Sequence, residues 1–457
     1  MKRFLFLLLM VLQALSLDVL ADSAVAVDSA STFGVADIRA SRIVHHAGLP
    51  ARPADVFAGV DMMNLFWVLE AGAHHISILD GDKLEPIHRF AARGVLHDEP
   101  KFTSDGRYAF FVSRDGWISK YDLWNLKVVT EVRAGIDARN IAVSGDGQFI
   151  AVANALPRTL VLLDADLNLL RVHAVTNKER TATSRVLSVH DAAPRRSFVA
   201  VLQDVPEVWE ISYDPTAPDV PIGVIHDFLY QEGAFIRGFL NPQRTRLSNP
   251  LEDVYFTQDY SELLSASPEA GKGLVVNLDA RKKIASLAWP AANSAANSDK
   301  PRLGSGISWV WQGRRVMAAP HHNMGLLSLI DLESWKTVGE ISMPGAGVYI
   351  HSHDSTPYAW ADSINSPASD TLHVIDKRSL QRVAEVRADA GKTLGHVEFT
   401  RDGKYALASL SERRAEGGAL IVFDATTFQE VKRIPMDKPA GKYNLFNTIH
   451  RAGGRSQ

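Results

Sequence analysis

The sequence predicts an all-β protein, an eight-bladed β-propeller. Three observations carry this: a phrase that recurs eight times, a turn signal ahead of several copies, and a composition suited to one large buried core. The phrase is an apolar run that stops at an acidic residue and continues through a short polar segment into a second apolar patch. Its copies are ISILDGDKL at Asp80, ISKYDLWNLKVV at Asp122, LVLLDADL at Asp164, VWEISYD at Glu210, LVVNLDARKK at Asp279, LSLIDLESWKTV at Asp331, LHVIDKRSLQRV at Asp376 and LIVFDATTFQEV at Asp424. Successive acids are 42, 42, 46, 69, 52, 45 and 48 residues apart, the length of one four-stranded blade plus insertions. Each acid reads as a cap on turn amides at a strand end rather than as a catalytic group.

The turn signal is TSDGRYAFF at Thr103, SGDGQFIAV at Ser144 and TRDGKYALA at Thr400. Asp-Gly between apolar strands marks a tight turn, because Gly accepts the positive φ required there. The alternation in RYAFFVS and KYALASL puts every second side chain on one face.

Of the 457 residues, 46% are hydrophobic and 22% charged, and the formal net charge is -3. That is a globular composition with ample core material. It provides no field able to hold a polyanion and no basic stripe, which excludes nucleic acid as a partner. Blades bury their faces only against their neighbours, so one closed ring is expected rather than two or three domains.

Along the chain, residues 1–21 combine Lys2 and Arg3, the apolar run FLFLLLMVLQALSL and the small-residue site Val19-Leu20-Ala21. This reads as a cleavable secretory signal, too short for an anchor, and implies a periplasmic protein with no membrane span. Residues 22–55 read as an N-terminal linker or arm, and 56–457 as the propeller. Two long insertions, 215–250 and 291–301, are expected to form a lid on one rim.

Cysteine is absent, which removes disulfides, thiolate metal sites and the C-x-x-C-H attachment of c-type haem. H-E-x-x-H, G-x-S-x-G and phosphate-cradling Gly loops are absent too, so hydrolase and nucleotide chemistry lose most of their support. Histidines instead gather near blade junctions: His97, His321 and His322, His351 and His353, His396 and His450. Neutral imidazole is the commonest metal ligand near pH 7. An iron macrocycle across the central mouth accounts for these residues, His353 among its expected contacts; the alternative is that each caps a turn. Arg114, Arg139 and Arg185 occupy equivalent slots of early blades. Their guanidinium forks match the carboxylates of such a macrocycle, an ion pair within the blade being the alternative for Arg114. Trp309 and Trp311, beside the loop from Gly304 to Gly306, are the expected pocket walls.

The segments GVLHDEPKFTSDGRYAFFVSRDGWISKYDLWNLKVV, GIDARNIAV, SRVLSVHDAAPRRSFVAVLQDVPEVWEISYD, AAPHHNMGLLSLID, IHSHDSTPYAWAD and KPAGKYNLFNT together resemble the haem d1 domain of cytochrome cd1 nitrite reductase, from about residue 60 onward. The resemblance is nearest to the NirN-like dihydro-haem d1 dehydrogenases of haem d1 biosynthesis, with NirF-like proteins more distant. It implies an eight-bladed propeller holding haem d1, or its dihydro precursor, without a covalent bond. His97 falls on the family's proximal iron ligand. Arg114, Arg139 and Arg185 fall on arginines facing the d1 carboxylates, and His321 on a distal-side histidine with His322 beside it.

Three departures follow. The loop NPLEDVYF at 249–256 lacks the further distal histidine of the reductases, which argues against nitrite reduction because that reaction needs distal proton donors. Arg302 stands where the dehydrogenase-like members are expected to carry histidine. No c-type haem domain follows the signal, so a separate cytochrome c is the implied electron partner. The expected function is haem d1 maturation by oxidation of a propionate to an acrylate, with His321 or His322 as base. The alternatives are a non-catalytic carrier delivering the cofactor to cytochrome cd1 nitrite reductase, and a haem-free propeller, either lactonase-like or a scaffold.

Overall fold

In the computed structural model, described for residues 33–96, 98–227, 232–267, 272–288, 303–304, 306–412 and 417–450, the repeats become eight antiparallel blades. Blade 3 shows the plan: Asp137–Val143, Phe149–Leu156, Thr159–Asp164 and Leu169–Ala174 pair in chain order. The first strands of neighbouring blades touch one another, which makes them the inner ring. Blade 1 closes that ring with both ends of the chain, because Pro439–Asn444 is the inner strand beside Leu65–Glu70.

The period-two pattern of the strands explains the ring. Along Leu65–Glu70, Leu65 and Trp67 pack against Phe111 and Tyr121 of blade 2, while Phe66 and Val68 pack against Leu407, Leu420 and Val422 of blade 8. Successive side chains point to opposite faces, so each blade feeds two neighbours. Eight such clusters fill the eight interfaces. Their largest members, Trp67, Trp209 and Trp360, are fully buried, each worth roughly 2–3 kcal/mol in burial alone.

The repeated acids are turn caps. Asp376 accepts from the N–H groups of Arg378 and Ser379, both at 2.8 Å, and Asp424 from those of Thr426 and Thr427 at 2.9 and 2.8 Å. Blades 4 and 5 depart from this. Glu210 and Asp279 pair instead with Arg195, at 2.9 and 2.7 Å, and Asn277 does the capping in blade 5. The Asp-Gly signal marks the turn between first and second strands, where Thr103 donates to Asp105 at 2.6 Å and Gly106 sits at φ 68°.

Strand direction then sorts every loop. Strands alternate in direction within a blade, so first-to-second and third-to-fourth turns emerge on one side, the turn face. The approach to each inner strand and the second-to-third turn emerge on the other, the mouth face.

The described part of the arm contains regular structure. Helix Val35–Ser41 buries Ile38 between blades 2 and 3, and Ile43–Val44 pairs with Thr130 and Glu131 as a fifth strand of blade 2. The first insertion is no lid over the mouth. It leaves blade 4 between third and fourth strands, hence on the turn face, and its hairpin (Val220–Asp227 with Glu232–Ile236) lies against the outer strands of blades 3 and 4. The secretory signal, residues 22–32, His97, insertion 291–301 and Arg302 lie outside the described residues. No helix among the described residues is long and apolar enough to cross a membrane.

Candidate functional site on the mouth face

The mouth face gathers two kinds of side chain from two sides of the ring. Blades 2, 3 and 4 contribute arginines. Arg114 lies on the second-to-third turn of blade 2, which is stitched down from both sides: its N–H donates to Val95 O at 2.9 Å and its C=O accepts from Ala138 N at 3.1 Å. The side chain is exposed and makes no ion pair among the described residues, while Asp115 accepts from Ser113 at 2.6 Å. The ion pair weighed for Arg114 within its blade is therefore not formed. Arg139, half-buried, stands near the start of the inner strand of blade 3.

Arg185 precedes the inner strand of blade 4 but is already engaged. Its Nη2 lies 2.5 Å from Asp204 Oδ1, and its Nε and backbone N both lie 2.9 Å from Oδ2. The guanidinium holds the Asp204 carboxyl below its usual range.

Blades 6, 7 and 8 contribute imidazoles. His321 and His322 open the second-to-third turn of blade 6. His321 is 1% exposed, with Nε2 2.8 Å from Ser328 Oγ. Burial, with the neighbouring His322, pushes its pKa down to about 4, so it is neutral near pH 7. His322 is only half-buried, and its carbonyl accepts from Asn365 Nδ2 at 3.3 Å.

Sequence reasoning grouped His351 and His396 with the other junction histidines but gave neither a role of its own; both sit on inner strands and their rings lie 5.3 Å apart. Tyr349 lies 5.3 Å and Tyr443 5.4 Å from His396. Asp362 holds the approach to this group by accepting from Val348 N at 2.9 Å and Tyr349 N at 3.2 Å; burial pushes its carboxyl up to about 7. Behind the cluster, fully buried Lys442 of blade 1 donates to the His396 carbonyl and to Ser409 Oγ at 2.9 Å, and burial pushes its ammonium down to about 7. It ties the closing strand to blade 8 at the point where His396, at φ 50°, interrupts the ladder.

Three expected contacts stand elsewhere. Trp309 and Trp311 run toward the turn face, where their indole N–H groups donate to Lys377 O at 3.2 Å and Arg378 O at 3.0 Å across the blade 6–7 interface. His353 begins the first-to-second turn of blade 7, in the place Thr103 has in blade 2, with Nδ1 2.8 Å from Ser355 Oγ. Strand direction carries all three to the far end of their blades, away from the mouth: Trp309 and Trp311 wall a cavity there beside Lys377 and Arg378, and His353 takes a turn role.

The mouth thus offers guanidinium groups on one side and imidazoles and phenols on the other. This donor set suits a flat, carboxylate-bearing iron macrocycle: forks for the acids, an imidazole for the metal. The family model described as Cytochrome D1 heme domain matches residues 60–234 and 237–448. Dihydro-heme d1 dehydrogenase of Pseudomonas aeruginosa is 45% identical over 423 residues, spanning 92% of this chain and 78% of that protein. Nitrite reductase of Stutzerimonas stutzeri is 23% identical over 436 residues, 86% of this chain and 72% of that one. Among solved structures, dihydro-heme d1 dehydrogenase NirN in complex with DHE superposes with a TM-score of 0.81 at 44% identity, covering 92% of this chain and 83% of that one.

Proposed function

Because the chain belongs to the Cytochrome D1 heme domain family, we propose that its mouth face binds dihydro-haem d1 and oxidises one propionate of it to the acrylate of haem d1. The observation that carries this reading is the opposition of arginine and imidazole sides around one mouth, in a chain 45% identical to a dihydro-heme d1 dehydrogenase. Arg114 and Arg139 hold substrate carboxylates, and His97 is the iron ligand assigned from the sequence.

Converting –CH2–CH2–COO⁻ to –CH=CH–COO⁻ releases two protons and two electrons. Bound there, the iron tetrapyrrole would supply the redox centre, and the electrons would pass to a c-type cytochrome, since these 457 residues contain no cysteine to attach haem c. The protons need neutral acceptors within hydrogen-bond reach. His322, with the pair His351 and His396, fills that role. His321, sealed and bonded to Ser328, holds the turn that presents His322.

The test is to mix the purified protein with dihydro-haem d1 and a one-electron oxidant and follow the absorption spectrum. Conversion to the haem d1 spectrum supports the dehydrogenase. Tight uptake with an unchanged chromophore makes the protein a carrier, and absence of uptake removes both readings.

A further inference from the structure

The hairpin inserted in blade 4 forms a two-stranded sheet of its own and does not pair with the fourth strand, Pro242–Arg246. Among the described residues that strand is bonded on one side only, to Glu207–Ser212. On its open side lies a groove of about 970 Å³, bounded by the fourth strand, the outer strand of blade 3 and the apolar base of the hairpin, Val220, Ile222 and Ile236. An unpaired strand edge is a template for another extended chain.

The groove is also electrically one-sided. Lys178, Arg180, Arg244, Arg246 and Arg281 line it, and no Asp or Glu among the described residues does, in a chain whose net charge is -3. Arg244 and Arg246 are paired with Glu207 and Glu179 at 3.0 and 2.5 Å. Lys178, Arg180 and Arg281 are exposed and make no ion pair among the described residues. Ile222 is 49% exposed at the same site.

We propose that this groove docks an extended acidic segment of a partner protein, which adds to blade 4 as a fifth strand. The ring already accepts such an addition: on blade 2 the protein's own arm pairs Ile43 with Glu131 and Val44 with Thr130 along the outer edge. In an added strand alternate side chains face opposite ways, so acids on one side meet the cations while apolar residues on the other meet the base of the hairpin. Main-chain hydrogen bonds give the affinity, and the cations select the partner and speed its approach. The groove runs along the outer edge of the ring, and docking in it does not depend on what the mouth binds.

The probe is a short fluorescent peptide alternating Glu and Val, titrated into the full-length protein and followed by anisotropy. Binding is expected at low salt, weakening on the order of tenfold as salt is raised several-fold. R180E/R281E should weaken it on the order of tenfold or more at unchanged Tm and unchanged haem d1 uptake. Methylating alternate peptide nitrogens should abolish it, since strand addition needs those N–H groups. Failure of the Glu-Val peptide to bind, equal binding of a Lys-Val peptide, or undiminished binding of the methylated peptide overturns the proposal.

Discussion

Blades 2 to 4 meet the mouth with Arg114, Arg139 and Arg185, whereas blades 6 to 8 meet it with His322, His351 and His396 beside Tyr349. Guanidinium keeps its charge at every accessible pH and pairs with carboxylates in a fixed geometry, so it can hold but not exchange protons. Imidazole near neutrality does the reverse. One half of the ring is therefore suited to holding an acidic macrocycle and the other to taking protons from it, a separation that mutation can break or sharpen.

The largest effect is expected on the imidazole side. In the double variant His322→Ala/His396→Ala, turnover of dihydro-haem d1 should fall about 100-fold or more, the usual contribution of a positioned base. Affinity, measured by titration, should stay within about threefold, because the carboxylate forks remain. If affinity falls as far as turnover, the two halves do not divide the work.

On the arginine side the signature inverts. Arg114→Ala and Arg139→Ala should each weaken haem d1 binding roughly 10- to 100-fold, the worth of a charge-assisted hydrogen bond, with turnover at saturation little changed. Arg185→Ala should cost less than about threefold, because Asp204 already holds that guanidinium at 2.5 Å. A large loss for Arg185 would mean that the substrate displaces Asp204.

The position of the arginines on the mouth face was legible because each sits beside a readable turn or strand start, and the eight blades because an acid closes the third strand of most. The His351–His396 cluster was not selected, for a physical reason. The two lie 45 residues apart on inner strands, one of them the three-residue strand Ile350–Ser352. Only the closed ring brings them together. Trp309, Trp311 and His353 failed in the opposite sense: near mouth residues in sequence, they are carried by one strand length to the turn face. The departures of blades 4 and 5 were hidden as well, because Arg195 takes both Glu210 and Asp279 and only the structure puts the three together.

The smallest effect separates the halves by acid rather than by mutation alone. His321 titrates near 6.5 in the unfolded chain and at about 4 when folded, because burial penalises its charged form. Between those values the unfolded chain binds a proton that the folded protein does not. The stability that neutral His321 contributes is thus intact above about pH 6.5 and is lost as pH falls toward 4. Relative to His321→Gln, which cannot titrate, the wild type should lose roughly 0.7 kcal/mol between pH 7 and pH 6, read as a difference in the pH dependence of Tm. Arginine variants should show the wild-type slope, since guanidinium does not titrate in this window. Parallel curves for wild type and His321→Gln would mean that His321 gains its proton in place, and that the turn presenting His322 tolerates a charge in its interior.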